Sequence, residues 1–176
     1  MLGCHRSATS LIAAGLHSVG VTMGTDLIGG GPSNPAGHYE DRAFVRLNNR
    51  LLTMAGGVWF APPPEGAVKT AGIALDSRLA DYLTGRETGG SWGVKDPRLC
   101  ITWPAWLPHL RRIDDLIVVP VWRRPDEIAR SLTARERRPT PPTPTYPTAP
   151  TTWTELAHEH HRRMADAVAT LTQGAQ

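Results

Sequence analysis

The stretch Leu116-Ile117-Val118-Val119-Pro120-Val121-Trp122-Arg123-Arg124-Pro125 is the most strand-like in the chain. Its apolar run is continuous and rich in β-branched residues, the pattern of a parallel strand covered on both faces. Pro120 interrupts it by removing one ladder donor. Arg123-Arg124-Pro125 ends the run, and Asp126 to Arg137 reads as the helix that follows. Working outward, Trp92-Gly93-Val94 reads as a second short buried strand, ending on the charged Lys95-Asp96, with Pro97 opening a helix. Leu11, Ile12, Leu16 and Val19 recur at helical spacing after Gly3 to Ser10, where Ser7 or Thr9 is the natural N-cap. Phe44, Leu47, Leu51 and Met54 mark a helix that begins at the acids Glu40 and Asp41. Ile73, Leu79, Tyr82 and Leu83 suggest one further helix ending at Gly85, and a last helix spans about Thr152 to Leu171. Strands alternating with helices predict an α/β layer with parallel strands, whose ligands sit at the strands' carboxyl ends.

The 176 residues are a prior for one domain over residues 1–176, with a low-complexity Pro/Thr loop at 139–150 between the last two helices. Hydrophobic residues make up 40% of the chain and charged ones 20%, enough for one buried core and too little charge for a disordered chain. No apolar run approaches the roughly 18 residues of a membrane span. Gly15, His17 and Ser18 break up the weakly signal-like start. Cys4 and Cys100 have no partner at metal-ligand spacing, and a reducing cytoplasm is the default. A net charge of +3 argues against a general nucleic-acid binder and leaves room for a local anion site.

Three motifs fall at the expected strand ends. Gly3-Cys4-His5-Arg6-Ser7-Ala8-Thr9-Ser10 combines a turn, hydroxyls, a cation and a helix N-terminus, which together suit a phosphate or sulfate. The plainer alternative is a polar cap on an ordinary helix. No GK[ST] follows, so a P-loop nucleoside kinase is disfavoured. Arg123 and Ser131 offer a planar fork and a hydroxyl to a second phosphate, or else Arg123 pairs with a surface carboxylate and Ser131 is solvated. Lys95 and Asp96 form the third. His158-Glu159-His160-His161 lacks HExxH spacing and is expected to be a solvated helix face; no metal site is expected. Trp103, Trp106 and Trp153 are expected in the core or lining a cleft.

Taken together, Gly3 to Ser10, Asn34 to Asp41, Trp92 to Arg98 and Val118 to Leu132 resemble, in order, the motifs of the sulfotransferases that use 3′-phosphoadenosine 5′-phosphosulfate (PAPS), in their bacterial branch. The resemblance implies a three-layer, P-loop-like parallel sheet flanked by helices. It also implies transfer of a sulfuryl group from PAPS to a hydroxyl or amine of a small-molecule, glycan or lipid acceptor. Arg6, Ser7, Ala8, Thr9 and Ser10 would hold the 5′-phosphosulfate, and Arg123 and Ser131 the 3′-phosphate. Lys95 would stabilise charge on the leaving phosphate, with Glu40 or His38 as the base and Asp96 orienting Lys95 or its loop. Glu40 has the alternative of simply complementing a helix dipole, and His38 that of a surface residue.

Two departures shape the expectation. Ala8 stands where the family pattern has glycine, at a cost of order 1 kcal/mol if φ is positive there. Only Met1 and Leu2 precede the loop, where the resemblance implies a lead-in strand, so the sheet is expected to be incomplete at that edge, with a homo-oligomer as one way to complete it. A non-catalytic, degenerate nucleotide-binding module is the alternative to an active enzyme.

Overall fold

Residues 116–122 do not form a strand. The computed structural model describes residues 1–31, 34–35, 37–86, 89–136 and 152–172, and among these there are seven helices and no β-strand or sheet. The expected three-layer parallel-sheet architecture is therefore corrected to a helical one. Pairing is confined to isolated bridges, two of them parallel: Leu2 with Pro120 and Thr22 with Trp92.

The physical reason lies in the same stretch that suggested a strand. Leu2 N–H donates to Val119 O at 3.0 Å and Val121 N–H donates back to Leu2 O at 2.7 Å, which is a single bridge. Pro120 has no N–H, so its other edge offers a broken ladder. Nor are both faces covered: Leu116 and Val118 are half-buried against the core, while Ile117 is 82% and Trp122 63% exposed. Continuity of apolar residues suggests two-sided burial, but here the burial is one-sided. The 92–94 segment is equally short, held by Thr22 N–H to Ser91 O and Gly93 N–H to Thr22 O.

The helices are α1 (Thr9–Ser18), α2 (Arg42–Met54), α3 (Glu65–Ala74), α4 (Asp76–Thr84), α5 (Leu99–Leu110), α6 (Pro125–Glu136) and α7 (Trp153–Thr172). The single helix expected to end at Gly85 is two, parted at Leu75, and Ile73 faces solvent. Pro97 does not enter α5, whose N-cap is Arg98. At the head of α2, Asp41 takes the capping role, its Oδ1 accepting from the N–H groups of Ala43 and Phe44 at 2.9 and 3.2 Å.

Helix α5 is apolar around nearly its whole circumference and accordingly central. It packs on α2, α3, α4 and α7, while α7 also covers α6. Trp106, Phe44, Leu51 and Leu79 are fully buried at its centre, and Phe44 and Trp106 rings lie 4.7 Å apart. A Cβ at Gly72 would sit 2.7 Å from the Ala105 Cβ, so glycine lets α3 lie directly on α5. Trp103 and Trp106 are core residues, whereas Trp153 stacks on Trp59 with ring centroids 5.9 Å apart.

Candidate functional site

The loop from Gly3 to Ala8 folds back tightly on itself. A Cβ at Gly3 would lie 2.6 Å from Thr9 Cγ2, so only glycine fits beneath the start of α1. Ser7 is buried, its hydroxyl donating to Cys4 O at 2.6 Å and its N–H to the same carbonyl at 3.3 Å. Arg6 and Ala8 have positive φ, 66° and 65°. Neither Ser7 nor Thr9 caps α1. Ala8 is its N-cap and no side chain accepts from the first turn. The first-turn N–H groups of a helix have no intrahelical acceptor, so this uncapped end presents donors and partial positive charge to the space beside it.

That space is a pocket of about 240 Å³ lined by the loop, the start of α1, His38, Glu40, Lys95 and three arginines. Lys95 enters it from the end of the 92–95 segment, buried, and donates to Glu40 Oε1 at 2.6 Å, to His38 O at 3.1 Å and to Ser10 Oγ at 3.2 Å. Ser10 Oγ also accepts from Asn34 Nδ2 at 3.2 Å. Glu40, one residue before the α2 cap, turns into the pocket, and the dipole-complementing role falls to Asp41 instead. Tyr39, between His38 and Glu40, has φ 54°. Arg6, Ala8 and Tyr39 are the non-glycine residues with positive φ among the described residues; Arg6 and Ala8 line this pocket, and Tyr39 lies in sequence between His38 and Glu40, which also do.

The motif at 123–131 meets the loop, though not as two separate ligand contacts. Ser131 Oγ accepts from Arg6 Nε at 2.8 Å and is not on the pocket lining. Arg123 lines the pocket, donates from Nη1 to Arg6 O at 2.8 Å and from Nε to Glu127 at 3.0 Å. Arg6 is thus gripped by side chain and carbonyl from a segment more than 100 residues away in sequence.

A buried polar relay through Asn48, which no sequence motif announces, supports the segment that carries Lys95. Asp96 accepts from Arg98 Nη1 at 2.8 Å and from Asn48 Nδ2 at 2.8 Å, and Arg98 Nη1 lies 3.7 Å from Glu40 Oε2. Asp96 therefore orients its loop rather than Lys95 itself. Asn48 Oδ1 accepts from Thr102 Oγ1 and Trp106 Nε1, both at 2.8 Å, which fixes α2 to α5 at this point. The available signal was the register of α2: Asn48 lies one turn from Phe44, in the apolar stripe.

Electrostatics follow from burial among cations. Burial pushes the Glu40 carboxyl above the ordinary carboxylate value, and the attraction of Lys95 opposes this without cancelling it. Burial, then Lys95, Arg135, Arg6 and Arg98, lower His38, so its imidazole is neutral near pH 7. His5, on the pocket floor with its ring 4.2 Å from Trp59, is lowered further by burial and by Arg98; its Nε2 is buried without a hydrogen-bond partner among the described residues.

The histidines of α7 overturn another expectation. His160 and His161 are buried rather than solvated. His160 donates from Nδ1 to Leu156 O at 3.0 Å, its ring centroid is 6.3 Å from that of His5, and burial lowers it to about 4. His161 stacks on Trp122 with centroids 3.7 Å apart. The Pro/Thr loop at 139–150 lies outside the described residues. Among the described residues, no helix is long and apolar enough to cross a membrane. Compared with protein-family profiles, with curated proteins and with solved structures, the chain matches none of them.

Proposed function

We propose that the pocket at the head of α1 binds the charged end of PAPS and that the protein transfers its sulfuryl group to a hydroxyl or amine of a small-molecule, glycan or lipid acceptor. The observation that carries this reading is the convergence of Lys95, Arg6 and Arg123 on an uncapped helix N-terminus, with positive-φ backbone at Arg6, Ala8 and Tyr39 around it. Strained backbone of this kind costs about 1–3 kcal/mol per residue and collects where a binding geometry requires it. The pocket's 240 Å³ falls below the roughly 300–1,000 Å³ that encloses a drug-sized ligand, so it suits the phosphosulfate and leaves the rest of a nucleotide on the surface.

PAPS supplies an activated sulfuryl group; the chain supplies positioning and charge. The N–H groups at the head of α1 and Ser10 Oγ hold anionic oxygens there. Arg6 gives a forked donor to the phosphosulfate, its guanidinium oriented by Ser131, and the partly exposed Arg123 gives one to the 3′-phosphate. Lys95 exchanges its bond to Glu40 for the anion, which frees a buried carboxylate of raised proton affinity to take the acceptor's proton at Oε1. His38, neutral and on the same wall, is the other group able to do so. No metal is required, because the cations belong to the protein.

A second reading is favoured by one observation: Lys95 is already satisfied by three acceptors and neutralised by Glu40. A module that binds the nucleotide without turnover would have this arrangement. The free, buried Cys4 and Cys100 suit a cytoplasmic setting in either case.

Calorimetry with PAP, the desulfated product, against AMP tests the site. PAP is expected to bind at least about tenfold more tightly, and Arg123→Ala to remove that preference. Equal affinity for both overturns the nucleotide reading. Sulfate transfer that is lost in Lys95→Ala and Glu40→Ala supports the enzyme; PAP binding with no transfer to any acceptor class supports the binding module.

A further inference from the structure

Among the described residues, α1 is the helix that packs on no other helix. Its sequence, Thr9 to Ser18, contains no Asp, Glu, Lys or Arg. Ala13 is buried on its inner side, and His17 faces Tyr39 with ring centroids 5.7 Å apart. The outer side is apolar and open: Leu11 is 74% exposed, Ile12 37%, and Val19, at the C-cap, 77%. At about 100° per residue these three and Gly15 fall within one arc of about 100°. A helix surface facing solvent is ordinarily polar or charged. Single exposed apolar residues need no explanation, but a contiguous stripe marks a binding surface. Nothing lies within 4 Å of where a Cβ on Gly15 would stand, so packing does not ask for glycine there, although glycine weakens a helix interior. Its missing side chain leaves a saddle between Leu11 and Val19.

The stripe begins at the pocket, because Leu11 lines it together with Ser10, Glu40 and Lys95. Val19 lies about 12 Å further along, at 1.5 Å per residue. A cationic, donor-rich helix head that runs without interruption into an uncharged apolar stripe matches one kind of molecule, an amphiphile with an oxygen-bearing head and a linear apolar chain. Three apolar side chains on a helix of 10 residues fall far short of the roughly 800 Å² per partner that a stable protein interface buries. A chain molecule needs no such area, since it gains by each methylene that it removes from water.

We propose that the acceptor of the sulfuryl group is a linear aliphatic alcohol, with its hydroxyl in the pocket and its chain along Leu11, Gly15 and Val19. This assignment rests on the transfer reaction proposed above. The acceptor oxygen forms the new bond to sulfur as the bond from sulfur to the bridging oxygen of PAPS breaks. The hydroxyl proton goes to Glu40 Oε1, and the products are an alkyl sulfate and PAP.

Calorimetric titration of the full chain with alkyl sulfates, below the concentrations at which they form micelles, tests this. From butyl to decyl sulfate the affinity is expected to rise about twofold per methylene, the gain of a chain half-covered on a surface. Leu11→Gln and Val19→Gln, both at exposed positions that do not threaten folding, are each expected to weaken decyl sulfate about fivefold, and Val19→Gln to leave butyl sulfate unchanged. Ile73→Gln, at an exposed apolar position on α3, is expected to leave both ligands unchanged. An affinity independent of chain length, or a chain-length dependence that survives Leu11→Gln and Val19→Gln combined, overturns the proposal. So does a dimer that Val19→Gln dissociates in sedimentation, which would assign the stripe to a second copy of the chain. PAP titrated in parallel separates the two levels. Normal PAP binding with no chain-length dependence removes the alcohol alone, whereas absent PAP binding removes the nucleotide reading beneath it.

Discussion

At position 8 an alanine is held at φ 65°, in the left-handed region that costs an ordinary residue about 1–2 kcal/mol. Glycine there would lose more chain entropy on folding, which offsets part of the gain. Ala8→Gly is therefore expected to stabilise the protein by about 0.5–1 kcal/mol, a rise in Tm of a few degrees in a thermal melt. The neighbouring Lys95 and Glu40 make the opposite case, a pair whose members depend on each other. Lys95→Met leaves a buried carboxyl without its main partner and is expected to cost about 3 kcal/mol. The double variant Lys95→Met, Glu40→Gln removes the stranded charge and is expected to be more stable than Lys95→Met alone in urea melts. A double variant that is less stable than the single would mean that Glu40 draws its support elsewhere. The sequence identified the residue types of this site, since Arg6, Ser10, His38, Glu40, Lys95 and Arg123 do line one pocket. It misjudged Ser7 and Ser131, because a hydroxyl spent on a carbonyl or on an arginine looks the same in sequence as one facing a ligand.

Between elements, the contact that most directly links core to site is Asn48. Its side chain joins α2 to α5 through Thr102 and Trp106 and reaches forward to Asp96, next to Lys95. Asn48→Ala strands the buried Trp106 Nε1 and takes one bond each from Thr102 and Asp96, and is expected to cost about 2–3 kcal/mol, read as a lowered urea midpoint at unchanged m-value. Because Asp96 then loses one of its two anchors, PAP affinity is expected to fall as well. Normal stability together with normal PAP binding would show that Asn48 is not the link. At this scale the helices were legible from their apolar spacing, α2, α6 and α7 closely so. The partition of α3 from α4 was not, since Leu75 breaks the helix without a proline or glycine to announce it.

For the molecule as a whole, α7 carries a consequence that its sequence disguised. It covers both α5 and α6 and brings the ring of His160, fully buried, to 6.3 Å from that of His5 in the loop before α1. Burial lowers His160 from 6.5 to about 4 in the folded protein, so folding favours its neutral form. The stability it contributes is fully present above about pH 6.5 and is lost as the pH falls toward 4, by roughly 3 kcal/mol at the acid end. His5, lowered in the same direction, adds to the effect. Chemical denaturation across pH 4 to 7 is expected to show stability declining through this window, with a shallower decline in His160→Gln. A wild-type profile as flat as the variant's would count against a buried neutral His160.

The amino-acid sequence by itself determined where most helices run and which residue types gather at the head of α1. These follow from local spacing and from the chemistry of each side chain. Only the tertiary structure decided that Lys95 pairs with Glu40 there. It alone also decided whether the stretch from Leu116 to Trp122 is a strand. Continuity of apolar residues records hydrophobicity, but a sheet also requires neighbours on both edges and cover on both faces. Here Pro120 limits the pairing to one bridge and Ile117 and Trp122 face outward. The same holds for His160, whose burial depends on what α7 is packed against and not on any feature of its own segment.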